Sequence, residues 1–194
     1  MGGTVEDQGD AFGDLGTLLI LIVILVYIVM ATQFESLKFP FIIMFTIPFA
    51  FTGVFLALWM TSTPLSLIAL IGAIMLVGIV TKNGIVMVDY MNLLIERGSG
   101  VFDAVIAGGK SRLRPVLMTS FTTILGMLPL AIGTGAGSET WQPMGIAVIG
   151  GLTFSTILTL FIVPVLYSIL VNRSQRKERE KLARLSAEHQ ASKH

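Results

Sequence analysis

The chain has 194 residues, 54% of them hydrophobic and only 13% charged, with a mean hydropathy of +0.83. A water-soluble domain sits nearer 45–50% apolar and about 25% charged, so this composition excludes an ordinary soluble globule. The net charge of +1 says little by itself and suggests no nucleic-acid partner, and the absence of cysteine excludes a disulfide framework, a thiolate metal site and a thiol nucleophile.

The charges are badly mixed. Residues 15–34, 39–81, 115–138 and 140–172 carry none. About 20 apolar residues suffice for a helix to cross roughly 30 Å of hydrocarbon. The run 39–81 is long enough for two crossings, so the expected fold is an all-α, polytopic membrane helix bundle of about five transmembrane helices. The alternation expected of an outer-membrane strand is missing.

In chain order, the first helix is expected from Leu15 to Met30, reaching toward Phe34. Its acidic lead (Glu6, Asp7, Asp10, Asp14) is unlike a signal peptide. The second spans Phe41 to Met60, with Pro40 at its start and Pro48 inside, where a kink is expected. The third runs from Leu65 to Asp89, with Thr61-Ser62-Thr63 as its cap and Pro64 at its first position. The stretch Gly100–Gly108 reads as a short helix lying on the membrane surface. The fourth span runs from Val116 to Ile132, started by Pro115 and followed by the loop Gly133–Ser138. The fifth runs from Met144 to Val171, started by Pro143 and kinked at Pro164.

Orientation follows from lysine and arginine. Of the 13, twelve fall on one side: Lys38 after the first helix, Arg97, Lys110, Arg112 and Arg114 after the third, and seven in the tail. That side is read as the cytoplasm, placing the amino terminus outside and the carboxy terminus inside. Residues 1–14 are then an extracytoplasmic lead, 15–172 the bundle, and 173–194 a charged, solvated cytoplasmic tail. Trp59 and Trp141 flank the outer loops as interfacial anchors would.

The thirteenth cation is Lys82, inside the third helix, about 10 Å from the boundary marked by Asp89. An ammonium at the bilayer centre costs at least roughly 2.5–3.5 kcal/mol. Two readings stand open. The long stem can snorkel to the interface, or the ammonium can pair with a carboxylate in a relay that senses protonation. No Asp or Glu lies in the core of any expected helix, and Asp89 reads as interfacial and solvated. The carboxylate would therefore come from elsewhere. Asn83, Thr119, Ser120, Thr122 and Thr123 can bond across helices. Gly72, Gly78 and Gly84, with the pair Ala147 and Gly151, permit close helix packing. Arg112 and Arg114 are explained by positive-inside anchoring, with gating of a proton path as the alternative. The chain shows no nucleotide-binding loop and no metal cluster, and both histidines are in the tail, so no catalytic or metal residues and no direct ATP drive are expected.

Several segments, taken in order, resemble the second half of resistance-nodulation-division (RND) drug/proton antiporters of the hydrophobe/amphiphile efflux type. They are Ala31-Thr32-Gln33-Phe34-Glu35-Ser36-Leu37, then Gly78-Ile79-Val80-Thr81-Lys82-Asn83-Gly84-Ile85, then Arg112-Leu113-Arg114-Pro115-Val116-Leu117-Met118-Thr119-Ser120, and finally Pro143-Met144-Gly145-Ile146-Ala147-Val148 through Pro164-Val165-Leu166-Tyr167. The resemblance covers residues 11–172. It implies that these are the last five of the family's twelve helices. It implies that Lys82, Arg112 and Thr119 belong to the intramembrane proton relay, and that the partners of Lys82 are paired aspartates in an amino-terminal half not contained in this chain. It further implies bacterial inner-membrane placement, no cofactor beyond the proton gradient, and, in a complete pump, a homotrimer working with a periplasmic adaptor and an outer-membrane channel.

Against this stands a small autonomous membrane protein with a structural or interaction role and no transport. A channel lined by the third and fourth helices is disfavoured, because the sequence offers no charge ring or filter. The exported substrate is not legible, since the family's substrate-binding regions are absent from these residues. Taken alone, the chain is not expected to pump.

Overall fold

The computed structural model describes residues 3–191 except 134 and 136, with side chains described from 8 to 173. Among the described residues six helices form: α1 (Gly3–Gln33), α2 (Lys38–Met44), α3 (Thr46–Met60), α4 (Leu67–Glu96), α5 (Val101–Ile132) and α6 (Ser138–Ala191). No strand occurs among the described residues. Because α2 and α3 together make one crossing, these give five segments long and apolar enough to span a bilayer.

The break between α2 and α3 follows from Pro48. Proline has no N–H to give the carbonyl of Met44 and its ring crowds that carbonyl. The helix therefore turns at Phe45, where the Thr46 hydroxyl donates to the Ile43 carbonyl at 2.6 Å. Pro115 and Pro164 behave differently, since α5 and α6 run through them as continuous helix. A proline inside a membrane helix forfeits one backbone bond, which neighbouring groups can offset.

The observed helices are longer than the sequence suggested. α5 starts at Val101, so the expected surface helix, Pro115 and the fourth span are one element. Pro115 and Pro143 are interior, not helix-starting. Polar and charged residues limit a hydrophobic run but do not stop a helix, because its backbone bonds are internal wherever it leaves the lipid. α4 begins at Leu67 with Ser66 as its cap, the Ser66 Oγ accepting from the Ala69 N–H at 3.2 Å. The threonines expected to cap it close α3 instead. Thr61 donates its hydroxyl to the Ala57 carbonyl at 2.9 Å, and the Thr63 N–H reaches Leu58 at 2.9 Å. α5 ends where Gly133 takes a left-handed conformation (φ 76°) and returns its N–H to the Pro129 carbonyl. That geometry is cheap only for a residue without a Cβ.

α6 lies at the centre, against α3, α4 and α5, while α1 leans on α2 and α4. The interior has two levels. One gathers Ala50, Val54, Leu58, Leu76, Val80, Ala147 and Leu152. The other gathers Met30, Ile42, Ile43, Met87, Val88, Met91, Val163 and Tyr167. Lipid is as apolar as these side chains, so close packing rather than hydrophobic expulsion must hold the helices together. α3 and α6 approach closely. A Cβ built on Gly150 would run into the Cβ of Ala57 and come within 2.9 Å of the Gly53 carbonyl.

Candidate functional site

α4 has two faces. Ala69, Gly72, Ala73, Leu76, Val80, Thr81, Asn83, Gly84, Met87 and Val88 turn inward and are buried. Ile71, Met75, Gly78, Lys82, Asp89, Leu93 and Glu96 recur three, four or seven residues apart and are exposed along one side. This spacing keeps a stripe on one helix face. Lys82 stands at the middle of α4. It borders an apolar groove of about 290 Å³ between α4 and α1, whose far wall is Leu25, Val26, Val29 and Met30. Among the described residues Lys82 has no hydrogen bond and no ion pair.

The other expected relay residues lie on α5. Met91 of α4 sits over Gly108, where a Cβ would come within 2.6 Å of its Cγ. α4 and α5 are antiparallel, so equal steps back along α4 and forward along α5 set Lys82 near the height of Leu117 and Thr119. Thr119 is exposed, and its hydroxyl donates to the Pro115 carbonyl of its own helix at 3.0 Å. Arg112 is half-buried. Its guanidinium carbon stands 4.6 Å from the centroid of the Tyr90 ring, and its Nε is buried without a hydrogen-bond partner among the described residues. No hydrogen bond joins Lys82, Arg112 and Thr119 among the described residues. Asn83, next in sequence, is buried on the inward side of α4. Asp89 is exposed and borders a second cavity of about 280 Å³ with Gln33, Glu35, Asn92 and Glu96.

Of the expected cross-helix hydroxyls, Ser120 does cross, meeting Thr156 of α6 at 2.9 Å in a buried pair. Thr119, Thr122 and Thr123 bond to carbonyls four residues back in their own helix, as outward-facing threonines can. Among the packing residues, a Cβ on Gly72 would meet Met144, on Gly84 Ile43, and on Gly151 Leu76, Val54 and the Ala50 carbonyl, while Ala147 is fully buried. Gly78 differs. It faces the Lys82 groove, and a Cβ there would touch nothing. The sequence reading missed Gly53 and Gly150, although Gly53 and Ala57 form a small-xxx-small pair. It also missed the Arg112–Tyr90 stack and the bond from the buried Tyr167 hydroxyl to Asn92, with Phe39 stacked on Tyr167 at 5.5 Å. The hydropathy of these runs gives no signal for them.

The fold defines a polytopic α-helical membrane protein, and in such proteins an ionisable residue at mid-span is a general mark of ion or proton movement. Residues 1–171 match the AcrB/AcrD/AcrF family. The chain is 39% identical over 177 residues to the cobalt-zinc-cadmium resistance protein CzcA of Cupriavidus metallidurans, covering 91% of this chain and 17% of that protein. It is 43% identical over 155 residues to the multidrug resistance protein MdtC of Erwinia tasmaniensis, covering 79% of this chain and 15% of that protein. It also superposes on the crystal structure of a heavy metal efflux pump with a TM-score of 0.77 and 32% identity, over 86% of this chain and 16% of the pump. The chain therefore belongs to the RND efflux permeases, in the AcrB/AcrD/AcrF family, and spans about a sixth of the length of these relatives.

Proposed function

We propose that this chain forms the carboxy-terminal transmembrane part of a proton-driven efflux permease, and that Lys82, Arg112 and Thr119 carry its share of the proton relay. The carrying observation is Lys82 itself, an ammonium at the middle of a 30-residue helix, open toward an apolar groove and without an anion among the described residues. A charge so placed is tolerated when a carboxylate from another segment meets it. Ionised, that carboxylate holds the ammonium, and protonated it lets go. A proton crossing the membrane releases about 2.3 kcal/mol per 100 mV, which this exchange can couple to a conformational cycle. Thr119, at the height of Lys82, and Arg112 complete the path on α5, while Asn83 and Asp89 support it.

The same reading places the bundle in a bacterial inner membrane with the amino terminus outside and the carboxy terminus in the cytoplasm. Its partners are an amino-terminal half bearing paired aspartates, two further copies in a homotrimer, a periplasmic adaptor and an outer-membrane channel. No cofactor is needed beyond the proton gradient. Drugs and amphiphiles are the cargo favoured by the motif resemblance. Divalent cations are the second reading, favoured by the 39% identity to a cobalt-zinc-cadmium resistance protein. The test is Lys82→Ala in the full permease. Export of whichever probe the wild-type permease carries, ethidium or Zn²⁺, should vanish while membrane levels of the protein hold, and export that persists at wild-type rate sinks the proposal.

A further inference from the structure

We propose that Tyr90 is a positioning residue for Arg112, its ring fixing where the guanidinium stands in the relay while the buried Nε stays unbonded. This rests on the reading of Arg112 as a relay group and adds to it a residue on the neighbouring helix.

Three observations converge. The Arg112 guanidinium carbon lies 4.6 Å from the centroid of the Tyr90 ring, inside the roughly 6 Å range of a cation–π contact. The Arg112 Nε is buried and has no hydrogen-bond partner among the described residues. A buried donor left unpaired is rare in a native structure and calls for a reason. A ring face attracts a guanidinium without offering its N–H groups a lone-pair acceptor, so such a contact can leave N–H groups unbonded. A carboxylate partner would have used them.

The third observation is the backbone. Pro115 lies three residues beyond Arg112 inside α5. It has no N–H, so the Ser111 carbonyl, immediately before Arg112, loses its helical donor. α5 thus has one helical backbone bond fewer beside Arg112. Tyr90 lies on α4, roughly 12 Å along that helix from Lys82, and α4 is anchored by its buried face. The ring therefore references the Arg112 cation to the same helix that carries Lys82. Only the face of the ring matters in this arrangement, because the Tyr90 hydroxyl has no described partner.

The experiment uses the full permease in proteoliposomes with an imposed pH gradient, reading export of ethidium and of Zn²⁺. Tyr90→Phe keeps the ring and should stay within about twofold of wild type. Tyr90→Leu removes the ring face and should lower the export rate by about three- to thirtyfold. Arg112→Ala is the control. If Arg112→Ala abolishes export and Tyr90→Leu does not reduce it, the positioning role is overturned and the relay stands. If Arg112→Ala exports normally, the relay reading itself fails and this inference with it. A Phe variant as poor as the Leu variant assigns the effect to the hydroxyl and also overturns the inference. Should Tyr90→Leu fail to insert, phenylalanines bearing one, two and three ring fluorines at this position keep the shape and weaken the ring quadrupole stepwise. Export must then fall with each fluorine, and a flat series refutes the stack.

Discussion

The crossing of α3 and α6 gives the sharpest test of what holds this bundle together. The perturbation is Gly150→Ala, the addition of one methyl group. That methyl would overlap the Cβ of Ala57 and stand 2.9 Å from the Gly53 carbonyl. Neither obstacle is the end of a flexible side chain, so the helices must move apart. Overpacking of a well-filled interior costs about 1–3 kcal/mol. Against a total stability of roughly 5–15 kcal/mol that is a large fraction. The matched control is Gly126→Ala on α5, where a Cβ would meet nothing within 4 Å. There the change should be neutral, or stabilising by up to about 1 kcal/mol through helix propensity. The assay is unfolding of the chain in bicelles, following helix separation rather than helix content. A midpoint lowered by Gly150→Ala and unchanged or raised by Gly126→Ala is expected. Equal midpoints for the two variants would refute the claim that close backbone approach, and not generic apolar contact, holds α3 to α6.

The same preparation tests two smaller contacts. A double-mutant cycle of Ser120→Ala and Thr156→Val should return a coupling of about 0.6 kcal/mol, and additive losses would mean that the buried hydroxyl pair contributes nothing. Tyr167→Phe removes the bond to Asn92 while sparing the stack on Phe39, so a loss of about 0.5–1.5 kcal/mol is expected, and an unchanged midpoint would show that Asn92 is as well satisfied without it.

How much of this was legible in the sequence depends on which physical signal is strong. Charge-free runs set the number of spans, because the cost of a charge in hydrocarbon is large and local. They misplace ends, because a helix outlasts its apolar run, as α5 does between Val101 and Val116. Proline was ambiguous. Pro48 breaks its helix, whereas Pro115 and Pro164 do not. The difference lies in what surrounds the freed carbonyl, which is tertiary information. Lys82 was legible because it violates the composition of its segment. Gly53 and Gly150 were not singled out, since small residues are common in membrane helices and only the crossing point tells which of them are in contact. Tyr90 was invisible for a related reason, since an aromatic ring near a helix end is ordinary until an arginine from another helix is found over it.

Exposure carries different weight for different side chains here. Ile24, Phe55, Met118, Phe121 and Phe161 are each more than half exposed. In water such surfaces would demand a partner. In a bilayer they demand none, because acyl chains solvate them as well as another helix would. The broad bare faces of α1 and α5 therefore say nothing about assembly. An exposed ammonium at mid-span is different, since no acyl chain can solvate it. Of the exposed residues along α4, Ile71 and Met75 are satisfied by lipid, and Asp89 and Glu96 border a polar cavity near the helix end. Lys82 alone on that stripe is left with an unmet demand. On the proposed function, the surface that meets the amino-terminal half therefore centres on the Lys82 side of α4, and not on whichever face is most apolar.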